Sequence, residues 1–378
     1  MTTSIKTCFK CKEEKEITMY ELIIADADTP LFRAAKSVQE DYILATMPWG
    51  EVMEFPNVTA LWGHHKKKEG GWLAEYNKTM AEAGQEPLSP ENIGREECSR
   101  LSPDIDDHLA EAEKQFDYFV GGLKRTGYAE DYRLVLGGEG NFRYDCAVLQ
   151  PYKGKRKPKP LLFQEVKDFL INKYKKKVIL ANDQEADDIL GIMGTENYAH
   201  YKKTGEWRYI LAYIDKDIDM VVSPSFSYND PEATIRIPTP FEAAKCFAVQ
   251  MTCGDKAVDN IMGLPNLTEE IVEKYHLRKT KGIGKATAKE LLRTCENIQE
   301  LFARVTEAYR SYYGVAVHQQ QHHDISKGYY DWDYLDYMQD TAILLWMRQK
   351  EGEMFDIRKF LTRINVLEGE ENVTDTAG

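Results

Sequence analysis

Two observations predict an α/β chain with a parallel sheet and a mostly helical C-terminal part. Short apolar runs with β-branched residues alternate with stretches of helical spacing. Acidic residues gather where those runs end, and a parallel sheet places its active site outside the carboxyl ends of its strands.

Tyr20 to Ala25 reads YELIIA, a buried strand that delivers Asp26-Ala27-Asp28. Leu31 to Ala45 reads as a helix, while Met47 to Pro103 mixes Gly, Pro, His and Lys with weak periodicity and yields no element. Pro103-Asp104 marks a helix start, and Asp106 to Lys124 carries Leu109, Ala112, Phe116, Phe119, Val120 and Leu123 at amphipathic spacing. Tyr132 to Leu136 is a second strand, ended by Gly137-Gly138. Leu161 to Tyr174 predicts a helix and Lys177 to Leu180 a short strand. Asp183 to Met193 predicts a helix with Asn182 or Asp183 as N-cap. Trp207 to Ile214 is a strand with Asp215 and Asp217 at its carboxyl end. Beyond Pro240, the stretches Phe241–Thr252, Lys285–Arg293 and Trp332–Lys350 read as helices. His318 to His323 (HQQQHH) reads as a solvent loop, Tyr329 to Tyr337 as aromatic packing, and Leu367 to Gly378 as a disordered acidic tail.

With 378 residues and 43% hydrophobic content, the chain can bury a large core, and its length suggests two domains. No apolar run approaches a membrane span, and the polar, lysine-rich start argues against a secretory signal. Seven scattered cysteines fit reduced thiols in the cytoplasm. Cys8 and Cys11 form a CxxC with no second pair, which is half a zinc knuckle and not a site. The net charge of −13 argues against tight nonspecific duplex binding. Local potential governs phosphate contact, however, and five of the seven residues from Lys153 to Lys159 are basic.

Three acidic clusters stand out: Glu185, Asp187 and Asp188; Asp215 and Asp217; Asp255 and Asp259. Residues three apart on a helix share a face, so Glu185 and Asp188 would point together. Carboxylates this dense repel one another unless a cation sits between them. Alone, each cluster also reads as a solvated helix start or an Asp-rich turn. Together, and without His or Cys, they suit hard divalent ions. With the basic segment, they suggest metal-assisted phosphodiester chemistry.

The ordered set resembles the structure-specific 5′-nucleases, and its layout is most similar to the phage 5′→3′ exonucleases. The resemblance rests on Glu185-Ala186-Asp187-Asp188, Asp215-Lys216-Asp217, the loop Gly254 to Gly263, the hairpin Gly282-Ile283-Gly284-Lys285 and the segment Tyr152-Lys153-Gly154-Lys155-Arg156. It implies a PIN-like, Rossmann-like nuclease core over 19–238, with a helical arch around 150–160. A helical duplex-binding region with a helix–hairpin–helix would follow over 239–366, after a polar extension over 1–18 and before the tail over 367–378. It implies a Mg²⁺-dependent enzyme with two ions, Mn²⁺ able to substitute. One ion would be held by Asp26, Glu185, Asp187 and Asp188, with Asp215 between the sites and Asp217, Asp255 and Asp259 holding the other. Lys153 and Arg156 would contact the scissile phosphate, Tyr152 would stack on a terminal base, and Lys155 would add charge. Gly282, Gly284 and Lys285 would grip the duplex backbone, with K⁺ at that hairpin. The implied substrates are DNA 5′ ends, nicks and flaps, with RNA–DNA hybrids as an alternative, in host-cell cytoplasm during phage replication or recombination. Replication proteins are implied partners without a specific candidate, and no membrane is involved.

The chain departs from the family pattern at three places. The family's second metal Asp falls on Gly138, with Glu139 beside it; Asp255 and Asp259 stand one residue too far apart; and Leu264 to Thr280 is inserted before the hairpin. The first two departures support a competing expectation, a DNA-structure-binding replication factor of the same fold with impaired chemistry. A PIN-like ribonuclease is a third reading, disfavoured by the glycine hairpin.

Overall fold

The computed structural model describes residues 3–7, 14–64, 70–279 and 281–368. It divides the chain into two compact units, one formed by 1–29, 121–158 and 176–378, the other by 30–120 and 159–175.

The first unit holds a five-stranded parallel sheet. Its strand order is Ser225–Ser227, Tyr209–Tyr213, Tyr20–Asp26, Ala129–Gly137 and Val178–Ala181. Ile23, Ile24 and Ala25 are all buried. Successive residues point to opposite faces, so the central strand is covered on both sides, as a parallel sheet requires. Register carries the strand ends to one edge: Asp26 pairs with Val135 and Gly137 with Ala181. The Ala186–Thr204 helix packs Ala186 and Leu190 with Ile24, Val135 and Leu211, and Gly205 ends it in the left-handed region at φ 76°.

The remainder of this unit is mostly helical. Thr239 and Glu242 form a capping box at the head of the Pro240–Cys253 helix. Phe247 of that helix packs edge-on against Trp346 and Phe355, within a core that also holds Phe302, Tyr309 and Met338. The short helices Glu269–Lys274 and Lys285–Leu291 flank the glycine hairpin.

The second unit contains a three-stranded antiparallel sheet, Val52–Phe55, Gln39–Thr46 and Gly94–Leu101. Its core gathers Ile43, Ala45, Phe55, Leu61 and Leu73.

Several expectations are corrected here. The helix predicted over Leu31–Ala45 ends at Lys36, and Gln39–Thr46 is a strand, because Ile43, Ala45 and Met47 bury every second residue. The unassigned Met47–Pro103 stretch contains the helices Val58–Trp62 and Trp72–Glu82 and two strands of that sheet. The 150–160 segment runs through turns with no helix. His318–Gln321 is a strand paired with Tyr329–Trp332. The following helix is Tyr334–Leu345, started by an Asp333–Asp336 capping box. In the polar N-terminal extension, Thr3–Thr7 pairs antiparallel with Glu14–Thr18. Cys8, Cys11 and positions 369–378 lie outside the described residues. Among the described residues, no helix is long and apolar enough to cross a membrane.

Candidate active site

Asp26 ends the central strand and is buried. Its Oδ1 accepts the Asp28 N–H at 3.0 Å, and Asp28 in turn accepts the Gly137 N–H at 2.8 Å. The edge of the sheet is therefore pinned by the second acid of the Asp26-Ala27-Asp28 turn, a role the sequence did not reveal. Burial pushes the Asp26 carboxyl up to about 7, helped by the charges of Asp28, Asp215 and Glu185. Asp187 is raised well above the carboxylate range, by burial first and then by Asp26, Glu185 and Asp215, with Lys153 opposing. The structure thus brings Asp26, Glu185, Asp187 and Asp215 within one another's fields at the carboxyl edge of the sheet.

Glu185, not Asn182 or Asp183, caps the Ala186–Thr204 helix, in a capping box with Asp188. Asp183 takes a left-handed φ of 54°, which ends the preceding turn and delays the helix. Glu185 accepts from Asn141 Nδ2 at 2.8 Å, from the Tyr152 hydroxyl at 3.1 Å and from Lys153 Nζ.

Asp188, expected among the ligands, is placed elsewhere. It is fully buried and takes Arg143 bidentately, at 2.6 and 2.8 Å, together with the backbone N–H groups of Arg348 and Glu185. Burial alone would raise its pKa, but the guanidinium outweighs that and holds the carboxyl below its usual range. Arg143 also donates to the carbonyls of Leu344 and Trp346. No pattern within Asn141-Phe142-Arg143 announces these roles, because each partner lies more than forty residues away.

The basic segment folds onto the acids. The Lys153 N–H donates to the Asp259 carbonyl at 2.9 Å, and Arg156 pairs with the Asp259 carboxylate at 2.7 Å. Asn260 Nδ2 holds the Pro151 carbonyl at 3.0 Å. Asp259 therefore stands with Lys153, Arg156 and Glu185. Its carboxyl is raised by burial and Glu185 and opposed by the two cations. Tyr152, expected to stack on a base, is buried with its hydroxyl on Glu185 and no open ring face for stacking. Tyr144 is the exposed aromatic beside it, edge-on at 5.8 Å. Lys155 is exposed.

Asp217 lies with Asp215, Asp255 and Lys285. Its carboxyl rises to about 7 through burial and then Asp215, with Lys285 and a hydrogen bond from Gln250 opposing. The acidic loop closes on itself where Gly254 at φ 68° and Gly263 at φ 59° meet backbone to backbone. An added Cβ on Gly254 would come within 2.3 Å of the Ile261 carbonyl oxygen. Gly284 caps the short helix that begins at Lys285, and Gly282 has φ 81°.

Gly138 cannot be replaced by the family's acid without moving backbone. A Cβ there would lie 2.1 Å from Asn182 Oδ1 and 2.7 Å from the Ala181 carbonyl oxygen. Glu139 is exposed, with its backbone holding the 182–183 turn.

Among the described residues, no group of three or more His, Cys, Asp or Glu side chains is disposed to hold a metal ion as it stands. The donor chemistry nevertheless suits hard cations, because desolvated carboxylates destabilise one another as anions and a divalent ion relieves that repulsion.

No family model and no curated protein matches the chain. Among solved structures it is similar to the T5 D15 protein co-crystallised with metal ions, at 13% identity over 76% of this chain and 88% of that one, with a TM-score of 0.34. It is also similar to the bacteriophage T5 D15 flap endonuclease in a pseudo-enzyme–product complex with DNA and metal ions. There the identity is 15% over 61% of this chain and 90% of that one, with a TM-score of 0.32. A mutant T5 5′-exonuclease gives 15% over 62% and 92%, with a TM-score of 0.31. Likenesses this slight carry no argument about this chain.

Proposed function

We propose that the chain is a metal-dependent nuclease of PIN-like fold that hydrolyses phosphodiesters at DNA 5′ ends, nicks or flaps. One observation carries the reading: Asp26, Glu185, Asp187 and Asp215 crowd the carboxyl edge of a parallel sheet, with Lys153 seated on Glu185. Asp26, Glu185, Asp187 and Asp215 would hold one divalent ion, and Asp217 with Asp255 the other. Mg²⁺ is the natural choice, and Mn²⁺ can substitute. When bound, the ions would activate a water and stabilise the leaving oxygen.

The chain's own groups do the rest. Asp188 and Arg143 fix the head of the helix that carries Glu185 and Asp187. Lys153 and Arg156 supply cationic charge for the phosphate, and Arg156, half exposed, can take it bidentately. Asp259 orients both cations, a different role from the ligand expected of it. Gly282, Gly284 and Lys285 would offer backbone N–H groups and charge to the duplex, with K⁺ bound at that turn. An RNA–DNA hybrid is an alternative substrate, and the setting would be replication in a host cytoplasm.

A second reading is favoured by Gly138, where no acid fits: a factor that binds branched DNA without cutting it. The test is a gel assay on a 5′-flap duplex and a nicked duplex, labelled at each end in turn, with Mg²⁺, Mn²⁺ or EDTA. Metal-dependent short products from the 5′ end, lost at least a hundredfold in Asp187→Ala with its fold intact, are expected. Binding without product under every metal would establish the second reading instead.

A further inference from the structure

Gln250 lies on the Pro240–Cys253 helix and is 5% exposed. Its Nε2 donates to Asp217 Oδ1 at 2.5 Å, while its Oε1 is buried with no hydrogen-bond partner among the described residues. The two amide atoms share one carbon, so the bare oxygen sits beside the carboxylate that the nitrogen holds. A buried amide oxygen left unpaired is destabilising, because it has given up water and gained no partner in exchange. An apolar side chain in this buried helix would avoid that cost.

The surroundings point to a cation. Asp215 and Asp255 both act on Asp217, opposed by the Lys285 cation, and the Asp255 loop follows the same helix one turn beyond Gln250. Cys246, one turn before, offers a soft sulfur donor, which a hard divalent ion does not favour. Carboxylates alone do not complete a site here, because no group of three acids, histidines or cysteines among the described residues is disposed to hold an ion. Hard divalent ions accept neutral amide oxygens alongside carboxylates.

We propose that Gln250 is a ligand of the second divalent ion, with its Oε1 completing the set begun by Asp217 and Asp255. This rests on the metal-dependent reading above. An amide here adds an oxygen without adding a fourth charge to Asp215, Asp217 and Asp255.

Mn²⁺ binding, counted by electron paramagnetic resonance of free Mn²⁺ on the full chain, tests it. The wild type is expected to bind two ions. Gln250→Met, which removes both amide atoms, keeps one and weakens the other at least tenfold. Gln250→Glu, which keeps an oxygen and adds charge, retains two ions and tightens the second severalfold. Circular dichroism checks that each variant folds, and should Gln250→Met fail to fold, Gln250→Glu carries the test alone. Two ions at wild-type affinity in Gln250→Met would overturn the proposal, as would an unchanged or weakened second ion in Gln250→Glu. A wild type that binds no Mn²⁺ would instead overturn the metal-dependent reading itself, so the two failures are distinguishable.

Discussion

Arg143 keeps its charge at every accessible pH and is 3% exposed, so its neighbours must answer it completely. Asp188 and the carbonyls of Leu344 and Trp346 do so, across sequence separations of 45 to 203 residues. Such a pair adds little to stability against an apolar substitute of equal shape, but removing one partner strands the other. Arg143→Ala is therefore expected to lower the unfolding free energy by about 3–5 kcal/mol, read from urea denaturation. Replacing both at once, as Arg143→Met with Asp188→Leu, should recover most of that loss. If the single substitution proved as mild as the double, the pair would not be acting as a buried unit.

At the scale of elements, the loop after the Ala129–Gly137 strand decides how the two readings of the site divide. Gly138 packs against the Ala181 carbonyl and Asn182, and its own N–H donates to that carbonyl at 2.7 Å. Gly138→Asp should therefore cost about 1–3 kcal/mol of stability without raising Mn²⁺ affinity. Glu139→Ala should leave the melting temperature and metal binding unchanged. Tighter Mn²⁺ binding by Gly138→Asp would show that the loop can open to admit a ligand. Four strands of the parallel sheet were legible because apolar residues run through both faces, as in Leu22 to Ala25, whereas the edge strand Ser225–Ser227, with one apolar residue, carries no such signal. The Gln39–Thr46 strand was not legible, since Ile43 and Ala45 share their face with Gln39 and Asp41 while Tyr42 and Leu44 lie on the other, so no clean alternation shows. His318–Gln321 has no apolar residue at all, and its pairing with Tyr329–Trp332 is what makes it a strand. The acidic motifs gave the order of the site residues. Which carboxylate faces its neighbours and which faces Arg143, Arg156 or Gln250 depends on tertiary contacts that no spacing encodes.

For the whole molecule, the chain carries a net charge of −13, so buried acids set how its stability follows pH. Asp340, whose shift comes from burial and not from a neighbouring charge, shows this most cleanly. It is 6% exposed, accepts the Val148 N–H at 2.8 Å, and is pushed by burial from 3.8 up to about 6. Between those values the folded chain holds a proton that the unfolded chain has released. Stability therefore falls as pH rises through that window, and the loss is complete above about 6. The shift corresponds to roughly 3 kcal/mol at most. Asp340→Asn keeps an acceptor for the Val148 N–H and removes the charge. It should be more stable than wild type in urea at pH 7.5, by about 1–3 kcal/mol, with the gap closing towards pH 4. Asp26 and Asp217, both raised to about 7, act in the same direction in the metal-free chain, so the wild type should lose stability from pH 5 to 8 in EDTA. A gap between Asp340→Asn and wild type that stayed constant from pH 4 to 7.5 would mean that Asp340 is not the group that titrates.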